Sequence, residues 1–180
     1  MSDPSKGRLL FAARRLNDLR ALKGGDLARV QPAERQQPLQ EFFFHLVGAI
    51  NLLAQHINAA RELGLGPEDV TVDAVCKKLG DDDPVRKLLK ALHPRTRGKK
   101  LPADAYSEEG SHFRILLLRN YVSHQRDSPF FFRQGSEPRS SLELDPRCGR
   151  LGGSKRAALC ELQLFHELVS KKCTQILELL

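Results

Sequence analysis

The chain has 180 residues, 41% of them hydrophobic and 28% charged, and a formal net charge of +7. This length and composition are ordinary for one soluble globular domain with its own core. The positive surplus favours anionic partners, with nucleic acid as the leading candidate.

The four cysteines form no C-x-x-C pair and no zinc-like spacing, so we expect reduced thiols. The sequence predicts neither a metal site nor a cofactor.

The most apolar stretch, Phe42 to Ala54, is interrupted by His45 and Asn51 and is too short to span a bilayer. No secretory signal is visible, and acidic residues in the first helix argue against a transit peptide. We therefore expect a cytoplasmic protein without membrane association.

Two long helices are predicted in the first third of the chain. Asp3-Pro4 begins the first, which runs to about Leu22 and places four arginines on its outer face, either as a solvated surface or as part of a phosphate-facing groove: Arg8, Arg14, Arg15 and Arg20. Pro38 is expected to open the second and longest helix, which continues to about Leu63 with a wide apolar face. Its His45 and His56 are better interpreted as core histidines than as catalytic partners.

Residues 66–101 are predicted to be an insertion of two short helices, capped by Thr71 and Asp83, that ends in a basic loop. The helix pair resembles a helix-turn-helix unit, but Arg86, Lys87 and Lys90 are too few cations for a convincing DNA-reading helix. The loop carries the densest basic run of the chain. A mobile cationic loop either follows a phosphate backbone or serves only solubility, and on the first alternative we assign RNA contacts to its four cations: Arg95, Arg97, Lys99 and Lys100.

A further helix is predicted from about Ala103 to Gln125, and Ser154 is expected to cap a closing helix that reaches Leu180. Residues 127–153 between them have no helical periodicity. This segment is a long loop or a small hairpin that pairs Phe130 to Arg133 with Ser141 to Leu144. Arg126 and Arg133 add positive charge beside the preceding helix and are predicted to contact RNA.

The late part of the 103–125 helix carries the polar cluster Arg119-Asn120-Tyr121-Val122-Ser123-His124. Asn120 and His124 share one helix face, whereas Arg119 lies about 140° away from His124 around an ideal helix. The two can act on one ligand if the helix loosens, if the arginine wraps round, or if a second copy supplies the other partner. The last option predicts a homodimer.

An Arg followed by a polar residue, with a His four to six residues after the Arg late on a helix of an all-α bundle, resembles the signature of the HEPN superfamily. The resemblance implies an all-α HEPN-like bundle of about five to six helices, forming a single domain over residues 1–180. It also implies a dimer that brings two motifs into a basic cleft. Active members cut RNA without a metal, and inactive members serve as binding or assembly domains.

This resemblance implies catalytic roles for Arg119, Asn120 and His124. A histidine can transfer protons near neutral pH, and an arginine can hold the charged phosphate. The expected activity is endoribonuclease cleavage by 2′-OH attack, which leaves a 2′,3′-cyclic phosphate. Family members of this size often act as toxins or anti-phage effectors restrained by an antitoxin or a nucleotidyltransferase. The alternatives are an inactive scaffold that binds RNA, a nucleotide or a partner protein, and a helical DNA-binding regulator.

Overall fold

The computed structural model describes residues 4–124, 129–133, 139–147 and 153–180. Within these ranges the chain forms six α-helices: α1 (Pro4–Ala21), α2 (Pro32–Ala60), α3 (Val72–Lys78), α4 (Pro84–Leu92), α5 (Glu108–His124) and α6 (Ala158–Leu177). Two short antiparallel strands follow α5: β1 (Phe130–Arg133) and β2 (Arg139–Leu142). The predicted all-α class is confirmed, with the number of helices expected and a hairpin after α5.

Helix α2 is the centre of the fold. Its apolar residues recur at helical spacing, and eight of them are fully buried: Phe42, Phe43, Leu46, Ala49, Ile50, Leu53, Ala54 and Ile57. Helices α1, α3, α5 and α6 all pack against it. The ring centroids of Phe43 and Phe165 lie 6.4 Å apart and join α2 to α6. One hydrophobic core therefore fixes α5, the helix that carries the motif.

The predicted start of α2 at Pro38 is wrong. The helix begins at Pro32, and Pro38 lies inside it. Arg35 explains the difference, because its buried side chain donates to the carbonyl oxygens of Leu27 and Val30 at 2.8 and 2.7 Å. These bonds anchor the first turn to the preceding segment. Pro38 then removes only one intrahelical donor, close to the helix start.

Helices α3 and α4 begin at the predicted caps. Thr71 Oγ1 accepts from the backbone N–H of Ala74 at 3.1 Å, and Asp83 Oδ1 accepts from that of Val85 at 2.8 Å. Their apolar side chains join the same core as the long helices: Val72, Val75, Val85, Leu89 and Leu92. The segment that follows α4, residues 93–107, crosses to the start of α5 without regular structure.

The hairpin differs from the prediction in one strand only. Phe130 pairs with Leu142 and Arg133 with Arg139, so β2 begins two residues earlier than the predicted Ser141. Leu142 is fully buried and anchors the strand to the core, which sets this register. Residues 125–128, 134–138 and 148–152 lie outside the described ranges, together with the parts of the predicted 127–153 loop that they contain.

The last helix begins later than predicted. Ser154 does not cap it; its hydroxyl donates to Glu161 at 3.1 Å, and α6 starts at Ala158. His166, which the apolar periodicity places off the buried face, is partly covered, and its Nε2 lies 3.0 Å from the Leu9 carbonyl oxygen. Among the described residues, no helix has the length and apolar character that crossing a bilayer requires.

Candidate functional site: a cationic cleft at the end of helix α5

Helix α5 passes from the core to the surface, and this transition places the motif. Residues 110–118 are all buried. Arg119 is half-buried, and Asn120 and His124 are exposed. The apolar run before the motif is fixed by packing on both sides, so the polar residues that follow emerge from the core at a defined position.

Arg119 lines a hollow of about 460 Å³, which lies between the end of α5, α2 and the segment after α4. We call it the first hollow. Its lining combines apolar residues with polar and charged ones: Val47, Asp73, His93, Pro94, Arg95, Thr96, Arg97, Leu116, Arg119 and Asn120. Three arginines against one aspartate give the first hollow a positive charge, which suits an anionic ligand.

His124 lines a second hollow of about 540 Å³, which the same loop also borders. Its lining includes another arginine and the phenol of a tyrosine: Thr96, Arg97, Gly98, Leu117, Asn120, Tyr121, His124 and Arg147. Thr96, Arg97 and Asn120 line both hollows. The two hollows are therefore neighbours, and together we call them the cationic cleft.

The basic loop is fastened over the end of α5 by Arg147. The Nη1 of Arg147 donates to the carbonyl oxygens of Thr96 and Lys99 at 3.2 and 3.1 Å. Asp145 holds the same guanidinium through contacts of 2.9 and 2.6 Å, and the group lies over the ring of Phe113. The loop thus takes its place beside Asn120 through a contact that is remote in the sequence.

Arg119 is oriented by its neighbour. Its Nη1 donates to Asn120 Oδ1 at 3.0 Å, so the first two motif residues are in direct contact. Arg95, on the opposite wall of the first hollow, lies 3.4 Å from Asp73. Arg97 is exposed and lines both hollows. The first hollow therefore holds one guanidinium directed by the motif and two more supplied by the loop.

His93 is a member of the cleft that the sequence analysis missed. It stands at the C-terminal end of α4, half-buried in the first hollow. Burial is the main cause that lowers its pKa, and the charge of Arg119 acts in the same direction, against Asp73 and a backbone hydrogen bond. The imidazole is therefore neutral near pH 7. It can accept or donate a proton in the hollow that Arg119 also lines.

The structure brings Arg119, Asn120, His124 and the two arginines of the basic loop to one place. Lys99 and Lys100 are exposed on the same loop, beyond Gly98. Arg126 lies outside the described residues, and of Arg133 only the backbone in β1 is described. Arg119 and His124 line different members of this pair of hollows, and α5 continues as a regular helix to His124.

The residues considered for other activities have contacts of their own. The Nη1 of Arg86 donates to the Leu79 carbonyl oxygen at 2.8 Å, and Arg86 is paired with Asp81. Lys87 lies 3.7 Å from Asp82. These contacts tie Arg86 and Lys87, two of the three cations of the helix-turn-helix interpretation, to the loop between α3 and α4. Over the described ranges, no group of three or more His, Cys, Asp or Glu is arranged to hold a metal ion.

Comparison with known proteins adds no relative. No family model, no curated protein and no solved structure matches this chain.

Proposed function

We propose that this chain is a metal-independent endoribonuclease of the HEPN type, which cuts RNA in the cationic cleft. The observation that carries the proposal is the placement of Arg119 and His124 in adjoining hollows that share Asn120 and Arg97. A histidine that served only for packing would be buried among apolar side chains, whereas His124 is exposed in a positively charged cleft.

The reaction is an internal transfer at the RNA backbone. The ribose 2′-oxygen attacks the adjacent phosphorus and loses its proton, while the bond from phosphorus to the 5′-oxygen breaks and that oxygen gains a proton. The products are a 2′,3′-cyclic phosphate and a 5′-OH, with no net oxidation or loss of water. The protein must supply a proton acceptor, a proton donor and positive charge for the phosphorane oxygens.

The residues of the cleft divide these tasks. His124 transfers a proton, because an imidazole can accept or donate one near neutral pH. Arg119 holds two phosphate oxygens through its guanidinium, directed by Asn120. Arg95 and Arg97 contact the flanking phosphates, as do Lys99 and Lys100 further along the loop. Affinity for RNA should therefore fall as salt concentration rises.

A homodimer belongs to the same proposal. Within one chain, Arg119 and His124 face different hollows. A second copy docked at the end of α5 would bring its His124 towards the first chain's Arg119 and complete the set of groups at one phosphate. The cellular setting that follows is a cytoplasmic toxin or anti-phage effector, restrained by an antitoxin or a nucleotidyltransferase partner.

The proposal is tested by incubating purified protein with labelled total RNA and tRNA in EDTA. Wild-type protein should cut, whereas His124→Ala and Arg119→Ala should lower the rate at least 100-fold, as expected on loss of a proton-transfer group or a charge clamp. His56→Gln is the matched control, because this histidine lies on α2 and lines neither hollow. Equal RNA binding without cutting by wild type and both variants would contradict the proposal and favour the inactive scaffold.

A further inference from the structure

A second surface of the molecule combines exposed aromatic rings with cations. Phe11 on α1 and Phe44 on α2 are 47% and 54% exposed, although most other large apolar side chains of these helices are buried. Exposed rings that stand together on a folded domain mark an interaction surface. Phe11 and Phe44, with Arg8, Arg14 and His45 between and beside them, form what we call the aromatic platform.

The planar groups of the aromatic platform are ordered against one another. The rings of Phe11 and His45 are stacked, with centroids 5.2 Å apart, and Phe44 meets His45 edge-on at 5.4 Å. The guanidinium of Arg8 lies 5.1 Å from the centroid of Phe44, and that of Arg14 lies 5.4 Å from the centroid of Phe11. The rings are therefore held in fixed orientations while about half of each remains open to solvent.

Arg8 is held in place by its hydrogen bond with His45. The Arg8 Nη1 and His45 Nδ1 lie 3.1 Å apart, and since an arginine cannot accept, Nδ1 must be the acceptor. Burial and the nearby charge of Arg8 lower the pKa of His45, which agrees with a neutral ring. Arg8 also lies against Gly48, where an added β-carbon would stand 3.6 Å from its side chain.

The aromatic platform adjoins the cationic cleft. Gln40, Phe44 and Val47 are spaced i, i+4 and i+7 on α2, so they form one row with neighbouring side chains about 5–6 Å apart. The Nε2 of Gln40 donates to the Val122 carbonyl oxygen of α5 at 2.8 Å. Val47 lines the first hollow together with Arg119. Phe44 therefore lies on the row of α2 that borders the motif end of α5.

The positive charge of the aromatic platform indicates which kind of partner the surface binds. Two acidic residues of α1 and α2, Asp18 and Glu41, form their ion pairs with Arg15, Asp18 at 3.0 Å. Glu41, the nearest carboxylate on α2, is taken by Arg15 at 3.1 Å and by Gln37 at 2.9 Å. A second copy of the chain docked here by a two-fold axis would bring the arginines of the aromatic platform against their own counterparts. A polyanion that carries planar groups matches both the positive charge and the exposed rings of the aromatic platform.

We propose that the aromatic platform binds single-stranded RNA next to the cleft, with a base stacked on the open face of Phe44 and the backbone phosphates near Arg8 and Arg14. Stacking of bases on aromatic rings in a positively charged groove is how single strands are bound without sequence preference. This inference rests on the proposed function and extends it, because it assigns single-stranded RNA as the substrate and gives its path away from the cleft.

The test measures binding rather than cleavage. A fluorescein-labelled 12-residue oligoadenylate is titrated by fluorescence anisotropy into His124→Ala protein, which keeps the probe intact. Adding Phe44→Leu should weaken binding between about five- and 150-fold, the effect of losing one base stack. Arg14→Gln should lower the slope of log affinity against log salt by about 0.7. Leu179→Ala, another exposed apolar position, is the matched control and should leave affinity unchanged.

The outcomes separate this inference from the proposed function. Unchanged affinity in Phe44→Leu overturns the platform, even if wild-type protein cuts RNA and His124→Ala does not. Weakened binding in Phe44→Leu supports the platform even if wild-type protein fails to cut. If Phe44→Leu instead dissolves a dimer, measured by light scattering, while oligoadenylate affinity stays the same, then a second copy is the occupant and the inference is wrong.

Discussion

Arg114 of α5 and Glu161 of α6 form an ion pair whose two side chains are completely buried. The pair is bidentate, with Nη2 and Oε2 3.1 Å apart. Arg114 also donates to the carbonyl oxygens of Leu144 and Glu143 at 3.2 and 3.1 Å, and Ser154 donates to Glu161 at 3.1 Å. One buried network thus fastens α6 and the segment after the hairpin to the helix that carries the motif.

Breaking this pair on one side should be costly. Arg114→Met leaves the Glu161 carboxylate buried without its partner, so we expect a loss of about 3–5 kcal/mol in the free energy of unfolding. The double variant Arg114→Met/Glu161→Leu removes both charges and should be less destabilised than Arg114→Met alone. Urea denaturation followed by circular dichroism measures each loss. A loss of stability below about 1 kcal/mol in Arg114→Met would contradict this prediction. So would a double variant that loses at least as much stability as Arg114→Met alone.

Gly110 should not tolerate a methyl group, although it lies in a helix. A β-carbon there would stand 2.3 Å from the carbonyl oxygen of Asp104 and 2.8 Å from backbone atoms of Ala105. Gly110→Ala should therefore lower the free energy of unfolding, by about 1–3 kcal/mol. Gly7→Ala in α1 meets nothing within 4 Å and should raise it by roughly 0.5–1 kcal/mol. Thermal denaturation of the two variants compares them, and equal shifts would show that the start of α5 is not packed as described.

His112 should make stability depend on pH. It is buried, neither ring nitrogen has a hydrogen-bond partner among the described residues, and burial lowers its pKa from 6.5 to about 4, with Lys172 assisting and Glu108 opposing. The unfolded chain then binds a proton that the native chain does not. Stability should fall as pH drops from about 6.5 to about 4, by roughly 3 kcal/mol.

His112→Phe keeps a planar ring and removes the titrating group, so it should flatten this part of the profile. Urea denaturation at several pH values between 4 and 7 measures the slope. His45→Gln is a comparison, since the pKa of His45 is lowered as well but its side chain is only half-buried, and the change should be smaller. A His112→Phe profile parallel to that of the wild type would exclude His112 as the source.

His93 should contribute to RNA cleavage through its place beside Arg119. His93→Gln retains hydrogen bonding but cannot transfer a proton, so we expect the cleavage rate to fall at least tenfold with little change in stability. His93 is neutral above its lowered pKa and can then remove a proton, but acidification protonates the ring and ends this role. The acidic limb of the plot of cleavage rate against pH should therefore change in His93→Gln. His56→Gln is the control, and an unaltered rate in His93→Gln would remove His93 from the reaction.

The sequence predicts the features that depend on periodicity and turn residues, but not the features that depend on individual side-chain contacts in the folded chain. The helices, the caps at Thr71 and Asp83 and the hairpin follow from periodicity and turn chemistry. The start of α2 depends on Arg35 reaching two carbonyl groups outside the helix. Ser154 does not cap α6 because its hydroxyl donates to Glu161, and Glu161 is itself held by Arg114, 47 residues before it. None of these contacts leaves a local signature in the sequence.

The candidate site likewise contains residues that the sequence predicts and residues that only the fold brings there. Arg119, Asn120 and His124 stand out by their spacing, and Arg95 and Arg97 by their density of charge. His93 joins them only because the segment after α4 folds back over α5 and Arg147 holds it there. The one local hint is the position of His93 two residues before Arg95, where the basic loop begins. Phe44 is hidden in the sequence among the buried Phe42 and Phe43, and only its exposure separates it from them.

The most direct test of the central claim is the chemistry of the ends that wild-type protein leaves on RNA in EDTA, read by mass spectrometry of the fragments. Attack by the 2′-OH under the control of Arg119 and His124 predicts a 2′,3′-cyclic phosphate on one fragment and a 5′-OH on the other. These ends should disappear in His124→Ala protein. Fragments with a 3′-OH and a 5′-phosphate would mean that water is the nucleophile, and would exclude cleavage by the 2′-OH.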